Sequence, residues 1–271
     1  MVSVWSAIAG ASVGLLGGLI GLGGAEFRLP LLVAIFHYAL RRAISLNLAI
    51  SFVAVLVGAG ARWWLGGQAP LWRAAPFAVA MMIGGMLGAA VGSRWLARIS
   101  DTRLHAAVRS LLVAIGILLV AEGLGSWASP GLPLGEAALC LIAFVAGLAI
   151  GAVSTLLGVA GGELIIPTLV LGFGLPIKAA GTMSLLISIP TMAVGLWRHQ
   201  ASGAFQDIRE LERVVLPMAL GTVLGSTVGG WLVVRVPANA VELLLGCVLI
   251  ASALRVFKVR AHVGPESVQP T

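Results

Sequence analysis

GLGGAEFRLP, residues 21–30, places two adjacent glycines, a glutamate, an arginine and a proline within ten positions of an otherwise oily region. A stretch of the same design, GVAGGELIIP, occupies residues 158–167, an offset of 137. The sequence around the two stretches matches at that offset without a gap. Gly14 corresponds to Gly151, Gly21 to Gly158, Gly24 to Gly161, Glu26 to Glu163 and Pro30 to Pro167. Further on, Ser45 corresponds to Thr182, Asn47 to Ser184, Ser51 to Ser188 and Gly58 to Gly195. Gly84, Gly88 and Gly92 meet Gly221, Gly225 and Gly229. A match of this length marks an internal repeat.

The 271-residue chain is 59% hydrophobic and only 10% charged, with a mean hydropathy of +1.07. A water-soluble protein of this size needs far more polar surface, and a β-barrel would alternate polar with apolar residues. The composition therefore reads as an all-α polytopic membrane protein. Apolar runs fall near 4–22, 29–39, 44–61, 74–93, 104–124, 135–157, 164–175, 179–197, 214–233 and 240–257. Most are long enough to cross the hydrocarbon as helices. The runs at 29–39 and 164–175 have only 11 or 12 residues; at about 1.5 Å per residue they cover roughly half of it. Both follow a glycine-rich stretch directly. This divides the chain into a first half at 1–127, a connecting loop at 128–135, a second half at 136–257 and a polar tail at 258–271. The N-terminus, MVSVWSAIAG, has no basic leader, so the first run reads as a retained helix rather than a cleaved signal.

If each glycine stretch were a bend within one span, each half would hold four spans and the copies would point the same way. If the chain turns back there, each half has five helical elements and the repeat is inverted. Basic residues arbitrate, because they collect on the cytoplasmic side. Under the turn-back arrangement one side carries Arg41, Arg42, Arg94, Arg98, Arg103, Arg198, Arg209, Arg213, Arg255, Lys258 and Arg260, and the other Arg28, Arg62, Arg73, Lys178 and Arg235. That is eleven against five, with Arg109 inside a helix left out; the continuous-span arrangement divides them almost evenly. The expectation is five plus five, inverted, with both termini cytoplasmic. The tally does not decide whether the short helices are re-entrant or spanning.

Gly23, Gly24 and Ala25, and their partners Ala160, Gly161 and Gly162, let the backbone turn tightly and approach a ligand. If a short helix starts near each glutamate, Pro30 and Pro167 fall in its first turn, where a missing N–H costs little. First-turn N–H groups have no partner within the helix and cannot be left bare in lipid. Two such helix starts facing each other near the midplane would make an anion site from backbone dipoles; the competing reading is glycine packing between helices. Glu26 and Glu163 either cap the short helices or take up and release protons. Arg28, whose counterpart is Ile165, either pairs with Glu26 or Glu163 or attracts an anion. Asn47 and Ser51 share a helix face, as do Ser184 and Ser188. These stripes are interhelical glue or the lining of a substrate path. The expected substrate-binding set is Gly23, Gly24, Ala25, Glu26, Arg28, Asn47, Ser51, Gly161, Gly162, Glu163, Ser184 and Ser188. Proton coupling is expected at Glu26 and Glu163.

Other classes find no support. Cys140 and Cys247 lie in apolar segments and read as small core residues. His37, His105, His199 and His262 are scattered and suggest no metal site. No nucleotide-binding loop and no nucleophile–base constellation is present, so no cofactor and no enzymatic reaction is expected. The net charge of +7 lacks interleaved aromatics and does not imply nucleic acid. The Gly84, Gly88, Gly92 ladder and its copy read as packing seams. Trp5, Trp63, Trp64, Trp72, Trp95, Trp127 and Trp197 lie near segment ends, as interfacial anchors do.

The motifs GLGGAEFRLPLL and GVAGGELIIPTL, in a duplicated apolar chain of this size, resemble the TauE/SafE sulfite exporter family over residues 4 to about 257. Ala25 and Ala160 depart from a three-glycine turn. The resemblance implies a multi-pass permease of a bacterial inner membrane, with sulfite, an organosulfonate or a related sulfur-containing or carboxylate anion as substrate. It points to Gly23, Gly24, Ala25, Glu26, Gly161, Gly162 and Glu163 as the central region. The expectation is a secondary transporter working by alternating access, in the direction of export, with the lipid bilayer and the anion as partners; a homodimer is compatible. The alternatives are a cation or proton antiporter using Glu26 and Glu163 as ligands, and a membrane scaffold whose polar stripes are fully paired.

Overall fold

The computed structural model describes residues 2–36, 38, 40–65, 74–96, 110, 113–114, 116–117, 119–121, 123–124, 131–157, 159–201 and 214–258. Every regular element among them is helical. Helix α1 spans Val2–Ile20 and is followed by the break at 21–24; α2 is Ala25–Ala34, α3 Leu40–Leu65 and α4 Ala75–Leu96. In the second half, α5 is Glu136–Leu157 and α6 Gly162–Pro167, which continues as a π-helical turn over Thr168–Gly172. Helices α7 (Ile177–Ala201), α8 (Leu216–Leu232) and α9 (Ala238–Lys258) complete the chain. The described residues between 110 and 124 are also helical. His37, His105, His262, Trp72, Trp127 and the tail beyond Lys258 lie outside the described residues, as do the side chains of Trp95 and His199.

Among the described residues, four helices are long and apolar enough to cross a membrane: Ser3–Ile20, Arg42–Trp64, Glu136–Thr155 and Ile177–Arg198. The outer faces are apolar. Ile83, Leu87 and Val91 on α4 are about half exposed, and their repeat counterparts Leu220, Leu224 and Val228 on α8 are exposed as well. Buried serines, threonines, Asn47 and two arginines lie inside. An apolar surface around a partly polar interior suits lipid, not water, as solvent. Exposed Trp5, Trp63, Trp64 and Trp197 stand near helix ends, as anchors do. Neither cysteine is a core residue: Cys140 is half-buried and Cys247 exposed, because its position on α9 faces away from the packed seam.

The glycine ladders set the architecture. A Cβ on Gly84 would run into the carbonyl of Phe144, and one on Gly88 into that of Leu148. The counterparts, displaced by the same offset, repeat this: Gly221 against Ala7 and Gly225 against Ala11. From the opposite side, Gly147 meets Met81 and Gly151 meets Gly85, while Gly10 meets Met218 and Gly14 meets Thr222. The first helix of each half thus packs in parallel against the fourth helix of the other half, backbone to backbone, where any side chain would part them. Helices α3 and α7 are also repeat counterparts. Gly58 faces Leu185 and Gly195 faces Leu48, each with an added Cβ 3.5 Å from the leucine, so the partner number falls as the glycine number rises. These two helices cross antiparallel. At the periphery, Gly116 and Gly246 meet each other in a further antiparallel seam.

Helix α2 turns back. Its Leu29, Leu32 and Val33 pack with Ala9 near the start of α1 and with Ala43 and Leu46 near the start of α3. The far end of α1, at Gly18 and Leu19, instead meets Arg62 near the end of α3. Helices α1 and α3 therefore run in parallel, and the ten-residue α2 returns between them as a half-length element.

Candidate functional site

Both breaks begin in the same way. The N–H of Leu22 bonds back to the Gly17 carbonyl at 3.1 Å, and that of its counterpart Val159 to the Ser154 carbonyl at 3.0 Å. The chain then enters left-handed backbone, with φ 81° and 75° at Gly23 and Gly24 and 77° at Gly161. Only glycine adopts this readily. Gly24 and Gly161 are the residues that precede the short helices, and neither helix has a side-chain cap. Glu163 lies in the first turn of α6, where negative charge is favoured by the helix dipole, as the capping alternative expects.

The helices start earlier than their apolar runs suggested, at Ala25 and Gly162. Pro30 and Pro167 consequently fall at the sixth helical position and not in the first turn. There each proline withholds an N–H that would have bonded four residues back, to Glu26 or Glu163. Beyond Pro167 the helix widens into its π turn, and the Thr168 hydroxyl donates to the Leu164 carbonyl at 2.6 Å. Ala25 is tolerated in place of glycine because it begins a right-handed helix.

The two breaks meet. A Cβ on Gly23 would lie 3.3 Å from the Cβ of Ala160, its own counterpart in the repeat. One on Gly162 would lie 2.9 Å from the Leu22 Cα and 3.3 Å from the Gly21 oxygen. The polar stripes of α3 and α7 point at this junction. The Asn47 side-chain amide donates to the Ala25 carbonyl at 3.0 Å, and the Ser188 hydroxyl to the Ala160 carbonyl at 2.9 Å. Of the expected set, the structure brings Gly23, Gly24, Ala25, Arg28, Asn47, Ser51, Gly161, Gly162, Glu163, Ser184 and Ser188 together around the two breaks. For Glu26 it places the backbone in the first turn of α2; the side chain lies outside the described residues.

The family model for the sulfite exporter TauE/SafE matches residues 1–119 and 143–270. The chain belongs to the sulfite exporter TauE/SafE family. No curated protein and no solved structure matches it. The two matched blocks of the TauE/SafE model each contain one glycine break.

In this TauE/SafE protein the two half-sites differ. In the first, the Arg28 guanidinium is fully buried. It donates to the Ser51 hydroxyl at 2.7 Å and, at longer range, to the Gly23 carbonyl (3.4 Å) and the Thr222 hydroxyl (3.5 Å). In the second, Ile165 occupies the equivalent place. There the Ser154 and Ser184 hydroxyls and Oε1 of Glu163 are buried without a hydrogen-bond partner among the described residues. The two hydroxyls border the helix start: a Cβ on Gly161 would strike Ser154 Oγ, and one on Gly162 would lie 3.2 Å from Ser184 Oγ.

Sequence reasoning missed Ser154, Thr222 and Arg62. Ser154 has Gly17 as its counterpart, so no repeated polar signal marked it. Arg62 was counted with the basic loop residues. Instead it is 3% exposed, and it donates to the Gly18 and Leu19 carbonyls at 3.1 and 2.7 Å. It also reaches the Lys178 carbonyl and the Thr182 hydroxyl on α7, both at 3.3 Å. These carbonyls end α1 without helical partners, and a cation is the favoured group there. Buried Arg28 and Arg62 do not report on topology; the other residues of the tally retain its bias.

Proposed function

We propose that this TauE/SafE protein carries a small sulfur-containing anion, sulfite or an organosulfonate, across the cytoplasmic membrane of a bacterium in the direction of export. The observation that carries the reading is the close approach of Gly23 and Ala160: two uncapped short helices start at one buried junction inside a membrane-embedded bundle. The amides of a helix start lack acceptors within the helix, and with the nearby hydroxyls they offer the donors an anion needs where water is excluded.

We infer that the repeat is inverted, a reading supported by the antiparallel crossing of α3 and α7. Alternating access follows as the motion of one half against the other around the junction. Both termini face the cytoplasm, on the side richer in arginine. Glu26 and Glu163 carry the coupling charge: deprotonated they repel the anion, and neutralised they admit it. The incomplete pairing of Ser154, Ser184 and Glu163 argues against a scaffold without flux. An antiporter that binds only a cation at the two glutamates is distinguished by charge: it moves no anion.

Flux of radiolabelled sulfite and sulfoacetate in proteoliposomes tests the reading. Uptake by the wild type is expected to be lost in Gly161→Val, and in Glu163→Gln, which is permanently neutral and still admits the anion, accumulation driven by a gradient is expected to be cut at least tenfold. Wild-type flux in both variants overturns the assignment of the site.

A further inference from the structure

The glycine seams decide which bodies can move against each other. Helix α1 is fixed on α8 and α5 on α4, backbone to backbone, so each repeat half carries the other's fourth helix. Helix α3 joins the first body: a Cβ on Gly230 of α8 would lie 2.9 Å from that of Ala61. Helix α7 joins the second, with Arg198 reaching the Ala89 carbonyl of α4 at 3.5 Å. The two bodies face each other along the crossing of α3 and α7. Where α1 and α3 finish and α7 begins, that crossing is shut. A Cβ on Gly21 would lie 2.6 Å from the Gly181 carbonyl oxygen, and one on Gly181 would lie 2.5 Å from that of Ile20. The buried Arg62 guanidinium closes over this contact, with Nη1 2.6 Å from where a Gly181 Cβ would stand.

We propose that Arg62 is the releasable latch of this mouth, which on the topology proposed above opens away from the cytoplasm. The inference rests on the transport reading and names the residue whose release opens one side of the path. The bonds of Arg62 are divided unequally between the bodies. Nε and Nη2 stay within the first body, donating to the Gly18 and Leu19 carbonyls at 3.1 and 2.7 Å. Nη1 crosses to the second, to the Lys178 carbonyl and the Thr182 hydroxyl, both at 3.3 Å. Parting the bodies therefore breaks the long bonds and spares the short ones. The groups left behind are satisfied. The Thr182 hydroxyl keeps its own bond to the Lys178 carbonyl at 3.1 Å, and water entering the opened mouth reaches Nη1. Among the described residues every acceptor of Arg62 is a neutral oxygen. Parting a buried guanidinium from a carboxylate would cost far more. Lys178 adds a second tie across the same mouth, from Nζ to the Val234 carbonyl just beyond α8 at 3.3 Å. The repeat does not copy the latch: the counterpart of Arg62 is His199, and an imidazole lacks the guanidinium's fork of donors.

The test uses the full chain with Cys140→Ser and Cys247→Ser, in spheroplasts, where an impermeant maleimide meets only the outer face. The reporter is Leu185→Cys, at a buried position one turn beyond Gly181 on the same face of α7. Its labelling is expected to be at least tenfold faster in Arg62→Ala and in Gly181→Ala, whose methyl drives Gly181 from Ile20. Thr182→Val removes one crossing acceptor, spares the bonds to α1, and should speed labelling by less. Met81→Cys, buried in the seam of α4 and α5, should stay unlabelled in all three variants. Labelling of Met81→Cys in step with the reporter would mean a loosened fold and overturns the latch, as does reporter labelling that none of the three variants changes. A short bis-methanethiosulfonate cross-linker between Lys178→Cys and Val234→Cys holds the mouth shut without touching Arg62. Flux of radiolabelled sulfite in proteoliposomes is expected to stop on cross-linking and to return on reduction. Flux that cross-linking leaves unchanged removes the latch and leaves transport standing. Reporter labelling as expected, in a protein that moves no anion before cross-linking, removes the anion reading and leaves the latch in place.

Discussion

Gly23 and Ala160 are the same residue of the repeat, and they come close: a Cβ on the glycine would lie 3.3 Å from that of the alanine. On the inverted-repeat reading proposed above, such a pair lies on the axis that exchanges the halves. The pairs Gly58–Leu185 and Gly195–Leu48 obey the same exchange, as do the glycine ladders. The glycine breaks thus lie at the centre of the exchange.

Substitutions along the ladders should separate helices. Gly225→Ala and Gly88→Ala each push a methyl into a facing carbonyl across a rigid seam. Each is expected to lower stability by about 1–3 kcal/mol. Gly60→Ala meets nothing within 4 Å and lies mid-helix, so it should be neutral or stabilising by about 0.5–1 kcal/mol. Thermal unfolding in detergent ranks the three.

Arg62 clamps the end of α1 to the start of α7. Arg62→Ala strips the Gly18 and Leu19 carbonyls of their cationic donor and is expected to cost on the order of 3 kcal/mol. Arg62→Lys restores the charge without the planar fork and should recover only part of it. Chemical denaturation of the purified variants measures both.

Equivalent serines should behave unequally. Ser51→Ala takes the 2.7 Å acceptor from a buried guanidinium, a loss of roughly 1.5–3 kcal/mol. Ser188→Ala removes a hydroxyl whose partner is a neutral carbonyl, a loss of roughly 1 kcal/mol. Equal costs, in the same unfolding assay, would contradict the asymmetry that Arg28 introduces.

The returning α2 makes a topological prediction. In a background of Cys140→Ser and Cys247→Ser, an impermeant maleimide should label Ser3→Cys and Arg42→Cys from one face of the membrane and Trp64→Cys from the other. Labelling of the first two from opposite faces would mean that α2 completes a crossing.

Much was legible in the sequence because membrane burial leaves strong one-dimensional traces. Apolar runs of spanning length, the uninterrupted offset between the halves and the paired GG–E–P stretches fix the helices, the repeat and the breaks, since lipid leaves a backbone few other ways to satisfy its N–H and C=O groups. The positions of glycine alone foretold the seams. Tertiary structure decided the rest. Whether Arg62 caps a helix or lies in a loop depends on the end of α1 coming within reach of α3, two elements apart in the chain. Whether Ser154 matters depends on its meeting Gly161, which no periodicity records. The short helices do start near the glutamates, at Ala25 and Gly162, but Pro30 and Pro167 then stand at the sixth position, already beyond the first turn, because the left-handed glycine sets the start. The difference between Arg28 and Ile165 could be read as letters; that it leaves one half-site holding a cation and the other holding unpartnered oxygens followed only once the two breaks were folded against each other.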